Sequence, residues 1–131
     1  MAYKGQPVPS TVYNVGGGKI SDGKSVKVTV PEKTKIEAGR FYLLDGFLGC
    51  AMQSVETGEG ETSEVVLSIE QAEYETDQIA ADGEFKVGAQ IFWDEANQVF
   101  TEEAAGNRPA GRVTAAKDAN GVIWFLLGPQ V

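Results

Sequence analysis

Short apolar runs dominate this chain, and no window of eleven or more residues carries the i, i+3, i+4, i+7 stripe of an amphipathic helix. In the clearest run Val26, Val28 and Val30 alternate with polar residues, which predicts a strand buried on one face. Seven further runs, bounded by Gly, Asp or Asn turn residues, are 41–44, 47–53, 65–70, 90–93, 98–101, 111–115 and 122–127. The pattern predicts a small single-domain, all-β sandwich or barrel with little helix, and 76–81 is the best helical candidate.

The N-terminal part differs from the rest in composition. Its first 23 residues contain Pro7, Pro9 and five glycines, which break a helix, and they lack a periodic apolar pattern. Residues 1–40 carry seven Lys or Arg against three Asp or Glu, whereas residues 41–131 carry four against sixteen. These features predict an extended, basic N-terminal arm, residues 1–24, followed by an acidic β-rich domain, residues 25–131.

The residue inventory excludes several classes of function. Without histidine, Ser/His/Asp triads, Cys/His dyads and the usual zinc sites cannot form, and the single cysteine, Cys50, excludes an intrachain disulfide. A net charge of -8 disfavours nucleic acid as a partner. No signal peptide is evident, and the longest apolar run, 122–127, is far shorter than the roughly 20 residues of a membrane helix. The sequence therefore indicates no catalytic, cofactor or metal site and no membrane partner.

One pattern occurs twice, 49 residues apart. Residues 36–45 and 85–94 share the form apolar-x-x-Gly-x-x-apolar-apolar-apolar-Asp. The form predicts a turn whose glycine adopts a positive φ, then a buried strand, then an aspartate that ends the strand by binding its own downstream backbone.

Two strands carry residues of special interest. In 47–53, period two places Leu48, Cys50 and Met52 on one face, which predicts a buried and unreactive thiol. In 122–127 both faces are apolar, so both must be covered in the folded protein. We predict that a second subunit or the N-terminal arm covers one face, with Val122, Trp124 and Leu126 in the subunit interface.

Three segments resemble the capsid cement, or decoration, proteins of tailed bacteriophages. They are Gly39–Phe41 with Asp45–Ala51, Val87–Ala89 with Phe92–Asp94, and Gly106–Ala115. In that family a Gly-preceded strand, a hairpin ending in Trp-Asp, a Gly-Asn turn with its strand, and a final strand follow in this order. The resemblance spans residues 36–127, although Ala105 precedes the Gly-Asn pair where threonine is commoner.

The resemblance implies a structural virion protein without enzymatic activity. Such a protein binds the outside of the capsid and stabilises contacts between major capsid protein subunits. It is expected on the capsid surface of the virion, which is assembled in the host cytoplasm. It implies a homotrimer at three-fold positions of the shell, with a dimer as the alternative. The arm is expected to contact the capsid through Tyr3, Lys4, Val8, Val12, Tyr13, Lys19 and Lys24.

Two other functions are compatible with the residues. A stand-alone ligand- or carbohydrate-binding β-domain would use exposed aromatic side chains, for which Tyr3, Tyr13 and Tyr74 are the candidates. A small carboxylate-dependent hydrolase would need two paired acids, but the sequence singles out no such pair.

Overall fold

The computed structural model describes residues 18–131 of the chain. This part contains eleven β-strands, joined by turns and loops, and no helix. The predicted all-β class is confirmed. The strands are β1 (Ser25–Val30), β2 (Lys35–Ile36), β3 (Phe41–Leu44), β4 (Phe47–Ala51), β5 (Val55–Glu56), β6 (Ser63–Ser68), β7 (Glu73–Thr76), β8 (Gln90–Asp94), β9 (Val99–Thr101), β10 (Arg108–Ala115) and β11 (Ile123–Leu127).

The strands form two antiparallel sheets and a small ribbon. A four-stranded sheet has the order β1-β6-β4-β3, and a five-stranded sheet has the order β7-β11-β10-β8-β9. The ribbon pairs β2 with β5. In the four-stranded sheet β4 pairs with β6 only through Cys50 and Ala51, and β1 comes close to β3. This sheet therefore curls like a half-barrel.

The main core lies between the two sheets and is rich in aromatic rings. Phe41 of β3 packs against Phe100 and Phe125 of the five-stranded sheet, with ring centroids 5.3 Å away in both cases. Phe100 also lies 4.9 Å from Trp93 in an edge-on arrangement, a geometry that aromatic rings favour. These rings hold the inner faces of the two sheets together.

A second, aliphatic core fills the curl of the four-stranded sheet. The alternating valines of β1 point into it, as their pattern predicted. Its buried members are Val28, Val30, Ile36, Ala51, Val65 and Leu67. Because β3 and β4 lie between the two cores, residues on both of their faces are covered by the chain itself.

All eight predicted strands are present, with ends that differ by up to three residues. Three short strands without an apolar pattern, β2, β5 and β7, were missed. The predicted helical candidate 76–81 is wrong, because Thr76 ends β7 and the next residues pair with β9. Phe100 donates its backbone N–H to Gln78 O and accepts one from Ala80 N.

The repeated pattern corresponds to a repeated local structure. Gly39 and Gly88 have φ values of 89° and 87°. Each donates its N–H to a neighbouring strand at 2.8 Å, Gly39 to Ala51 O and Gly88 to Val113 O. The sequence pattern therefore predicted the turn and the strand that follows it correctly in both units.

The closing aspartates differ between the two units. Asp94 Oδ1 accepts a hydrogen bond from Asn97 N at 3.2 Å, so it caps its own turn as predicted. Asp45 Oδ2 instead accepts from Thr29 N at 2.8 Å. It therefore binds the exposed edge of β1 and joins two distant parts of the curled sheet.

Cys50 is half-buried beside the main core, next to the fully buried Leu48. Burial raises the pKa of the Cys50 thiol, because the thiolate would lose solvation there. The thiol is therefore only half-buried where full burial was predicted, and its low reactivity stays a prediction. Met52 does not share that face as predicted, because β4 ends at Ala51 and the Met52 side chain is exposed.

Candidate functional site

The outer face of the five-stranded sheet carries two large exposed apolar side chains. Along β11 the buried residues Ile123, Phe125 and Leu127 alternate with Trp124 and Leu126. Trp124 is 49% exposed and Leu126 is 47% exposed. We call these two side chains the Trp124–Leu126 patch.

Two glutamates of the edge strand β7 border this patch. In the strand register Trp124 lies opposite Glu75, and Leu126 lies opposite Glu73. The Trp124 indole N–H donates to Glu75 Oε1 at 2.9 Å, and the Thr114 hydroxyl donates to Glu73 Oε2 at 2.6 Å. The polar edge of the indole is therefore bonded within the sheet, and the exposed remainder of the ring is available for apolar contact.

A groove of about 660 Å³ adjoins Leu126 at the end of the sheet. Small residues, among them Gly111 and Gly128, contribute to its lining. Its lining residues are Gly46, Gln71, Gln90, Arg108, Pro109, Ala110, Gly111, Arg112, Leu126, Leu127, Gly128, Pro129, Gln130 and Val131. We call this feature the Arg108–Arg112 groove.

The C-terminal segment is held in the groove wall by side-chain hydrogen bonds. The Gln130 amide accepts from Leu48 N at 3.0 Å and donates to Leu48 O at 2.9 Å, so it pairs with β4 as a strand would. Arg108 Nη1 donates to Gly46 O at 2.7 Å, and Nη2 donates to Gln130 Oε1 at 3.2 Å. Arg108 therefore has a structural role in shaping the groove.

The predicted interface residues are only partly on one surface. Trp124 and Leu126 share the outer face of β11, whereas Val122 precedes the strand and is half-buried. One face of this strand is covered within the chain, because Ile123, Phe125 and Leu127 pack into the main core. The cover of the other face, which carries Trp124 and Leu126, stays a prediction.

Most of the predicted capsid-binding arm lies outside the described residues, namely Tyr3, Lys4, Val8, Val12 and Tyr13. Lys19 and Lys24 are described and exposed. Lys19 Nζ lies 2.7 Å from Asp22 Oδ1, and Lys24 Nζ lies 3.7 Å from Glu70 Oε1. Such exposed pairs contribute little to stability, so both lysines can exchange partners readily.

Tyr74 is not the exposed aromatic that a sugar-binding surface would require. Its ring packs edge-on against Phe41, with a centroid separation of 5.4 Å. Its hydroxyl is 2.8 Å from Ser68 Oγ and donates to Glu70 O at 3.1 Å. Burial raises the pKa of Tyr74. The other two candidates, Tyr3 and Tyr13, lie outside the described residues.

Within residues 18–131 no group of three or more His, Cys, Asp or Glu side chains is placed to hold a metal ion. The same part of the chain has no helix that could span a membrane. The groove was missed by sequence reasoning, because its lining comes from five separate segments. The nearest signal was the Gly106–Ala115 segment, which supplies Arg108 and Arg112.

Comparison with known proteins gives one family and one structural similarity. The family model that describes phage cement proteins matches residues 20–127. Among solved structures, the fold is similar to the N base of head fiber gp8.5 in bacteriophage phi29, at 14% sequence identity and a TM-score of 0.46. That match covers 79% of this chain and 94% of the other. No curated protein sequence matches the chain.

Proposed function

Since the chain belongs to the phage cement protein family, and so is a structural protein of the phage capsid, we propose that it binds the outside of the capsid. There it stabilises contacts between major capsid protein subunits by binding and not by catalysis. We further propose that it lies on the capsid surface of the virion and that it is assembled there in the host cytoplasm. The observation that carries the proposal is the Trp124–Leu126 patch, which lies on the outer face of a sheet whose inner face is fully packed.

The patch has the properties of a binding surface. Tryptophan is enriched among the residues that dominate protein interfaces, because its large ring loses little conformational entropy on binding. Here the cross-strand hydrogen bond to Glu75 orients the indole before any partner arrives. Because the strand is anchored by the main core, the patch supplies a preorganised apolar contact.

We propose that the patch lies in the interface of a homotrimer, with a dimer as the alternative. Val122, Trp124 and Leu126 are the proposed interface residues. Neighbouring copies would cover the exposed side chains of β11, which β7 and β10 flank with polar residues. A shared interface would also place several capsid contacts on one rigid assembly, which increases binding through effective concentration.

The double substitution Trp124→Ser with Leu126→Ser tests the patch. We expect capsid affinity to fall at least tenfold, about 1.4 kcal/mol, because both apolar contacts are lost. The measurement is occupancy of undecorated capsids by sedimentation and imaging, with light scattering to follow self-association. Met52→Ser is the matched control, because Met52 is 56% exposed and lies outside the patch.

The two readouts separate the proposals for the patch. Loss of self-association together with capsid binding supports a subunit interface, whereas loss of capsid binding alone places the patch against the capsid. A variant that melts like the natural protein and decorates capsids to the same level would contradict both.

Deletion of residues 2–17 tests the proposed arm. We expect the remaining β-domain to keep its circular dichroism spectrum and melting temperature, because both cores are built from residues after position 25. Capsid affinity should drop at least tenfold, about 1.4 kcal/mol, since Tyr3, Lys4, Val8, Val12 and Tyr13 are removed. A version with residues 2–17 in scrambled order controls for length and charge. Equal affinity of all three proteins would move the binding surface to the body of the domain.

A further inference from the structure

The Arg108–Arg112 groove is a local exception in an acidic protein. The chain has a net charge of -8, and residues 41–131 contain four Lys or Arg against sixteen Asp or Glu. Two of those four cations line the groove, and none of its lining residues has a carboxylate side chain. The remaining lining is composed of amide, aliphatic, proline and glycine residues. The charged side chains of the lining are therefore opposite in sign to the net charge of the chain.

The two arginines differ in what they can offer a partner. Arg108 is half-buried and donates to Gly46 O and to Gln130, so it holds the groove wall. Arg112 is exposed on β10, and its Nη1 donates to Gly88 O at 2.7 Å. A guanidinium has five N–H donors in a planar fork, which suits a carboxylate. Arg112 is therefore held in place by one bond while other donors remain for a ligand.

Apolar contacts lie next to this cation. Leu126 lies opposite Arg112 in the pairing of β10 with β11, and both line the groove. Pro109 and Pro129 are exposed lining residues as well. The nearest carboxylate in the strand register is Glu73, opposite Leu126 on β7, and the Thr114 hydroxyl donates to it. The groove thus combines an oriented positive charge with an exposed aliphatic side chain.

We propose that the Arg108–Arg112 groove binds an extended acidic segment of a capsid polypeptide. A carboxylate of that segment pairs with Arg112, and a neighbouring aliphatic side chain packs on Pro109 and Pro129, which lie outside the proposed subunit interface. The inference rests on the proposed function, because it takes the capsid as the source of the segment. Charge complementarity favours this occupant, because a basic or an apolar segment would leave the two arginines without a counter-charge.

Charge reversal at Arg112 tests the proposal on capsids. We expect Arg112→Glu to lower capsid affinity at least tenfold, and Arg112→Gln to lower it less, because glutamine removes the positive charge without adding a negative one. Lys35→Glu is the matched control, since it makes the same charge change on the exposed side of β2, outside the groove. Equal loss for Arg112→Glu and Lys35→Glu would overturn the groove as the site, because only net charge would then matter.

A peptide probe tests the groove without the capsid. The probe is acetyl-Gly-Glu-Leu-Glu-Gly-amide, and acetyl-Gly-Lys-Leu-Lys-Gly-amide is its control. We expect the acidic peptide alone to shift the amide resonances of Arg112 and Leu126 in an NMR titration of the natural protein, and Arg112→Gln to abolish the shifts. No shift at these residues, or equal shifts with both peptides, would overturn the proposal.

The two experiments separate the inference from the proposed function. If the natural protein decorates capsids but Arg112→Glu decorates them equally, the groove assignment fails and the function stands. If the natural protein does not bind capsids, the proposed function fails, and a groove-specific peptide titration still supports an acidic ligand. If Arg112→Glu abolishes self-association of the free protein, the occupant is a second copy, which contradicts a capsid segment.

Discussion

Replacing Gly111 with alanine is expected to lower the free energy of unfolding by at least about 3 kcal/mol. Gly111 lies in β10 between two partner strands, opposite Ile91 and Leu127. A Cβ at this position would overlap the backbone oxygen of Leu126. Backbone in a central strand cannot move aside as a side chain can, so the pairing of β10 with β11 must open locally.

Thermal and denaturant unfolding measure this effect, and a loss of ~3 kcal/mol corresponds to a fall in melting temperature of ~10 °C for a domain of this size. Gly128→Ala is the matched control from the same groove. A Cβ at Gly128 would lie 3.4 Å from Ala110 O, which is an ordinary contact. We expect that variant to change stability by less than about 1 kcal/mol. Similar melting temperatures for the two variants would contradict the steric explanation.

Replacing Gln78 with leucine is expected to cost about 2 to 4 kcal/mol of unfolding free energy, because two buried hydrogen bonds are lost. Gln78 is only 5% exposed. Its Oε1 accepts from Phe41 N at 2.6 Å, and its Nε2 donates to Phe41 O at 3.1 Å. Its backbone oxygen also accepts from Phe100 N, so Gln78 joins the edges of both sheets.

Gln53→Leu is the matched control, because the Gln53 amide makes one exposed strand-edge bond, from Val66 N at 2.9 Å. We expect it to cost less than about 1 kcal/mol. Equal losses for the two leucine variants would contradict the special role of Gln78.

Gln78→Glu adds a test through pH. The ionised carboxylate would face Phe41 O without a donor, whereas the protonated form can donate to it, so folding favours protonation. Its contribution to stability is therefore present below the unfolded pKa of about 4.3 and is lost as the pH rises. Gln78→Leu should lack this pH dependence, and a pH-independent loss in Gln78→Glu would contradict the geometry.

The candidate surfaces could be predicted from the sequence only where one strand supplies them. Trp124 and Leu126 are two positions apart in a strongly apolar run, so alternation places them on one face. The Arg108–Arg112 groove could not be found in this way, since its wall also comes from the turn before β4, from Gln71 before β7, from Gln90 of β8 and from the C-terminal segment. No local sequence pattern indicates that these segments contact one another in the folded protein.

Local patterns by themselves determined the all-β class, the main strands and the two Gly-containing turns. They suffice for these features because alternation, turn residues and a positive φ act within a few residues of the chain. Only the tertiary structure decided which face of β11 is covered and that β3 and β4 lie between two cores. It also decided that Gln78, which the sequence placed in a helical candidate, completes a strand edge 37 residues away. Burial and hydrogen-bond partners of this kind depend on contacts between distant segments, which residue order near Gln78 does not encode.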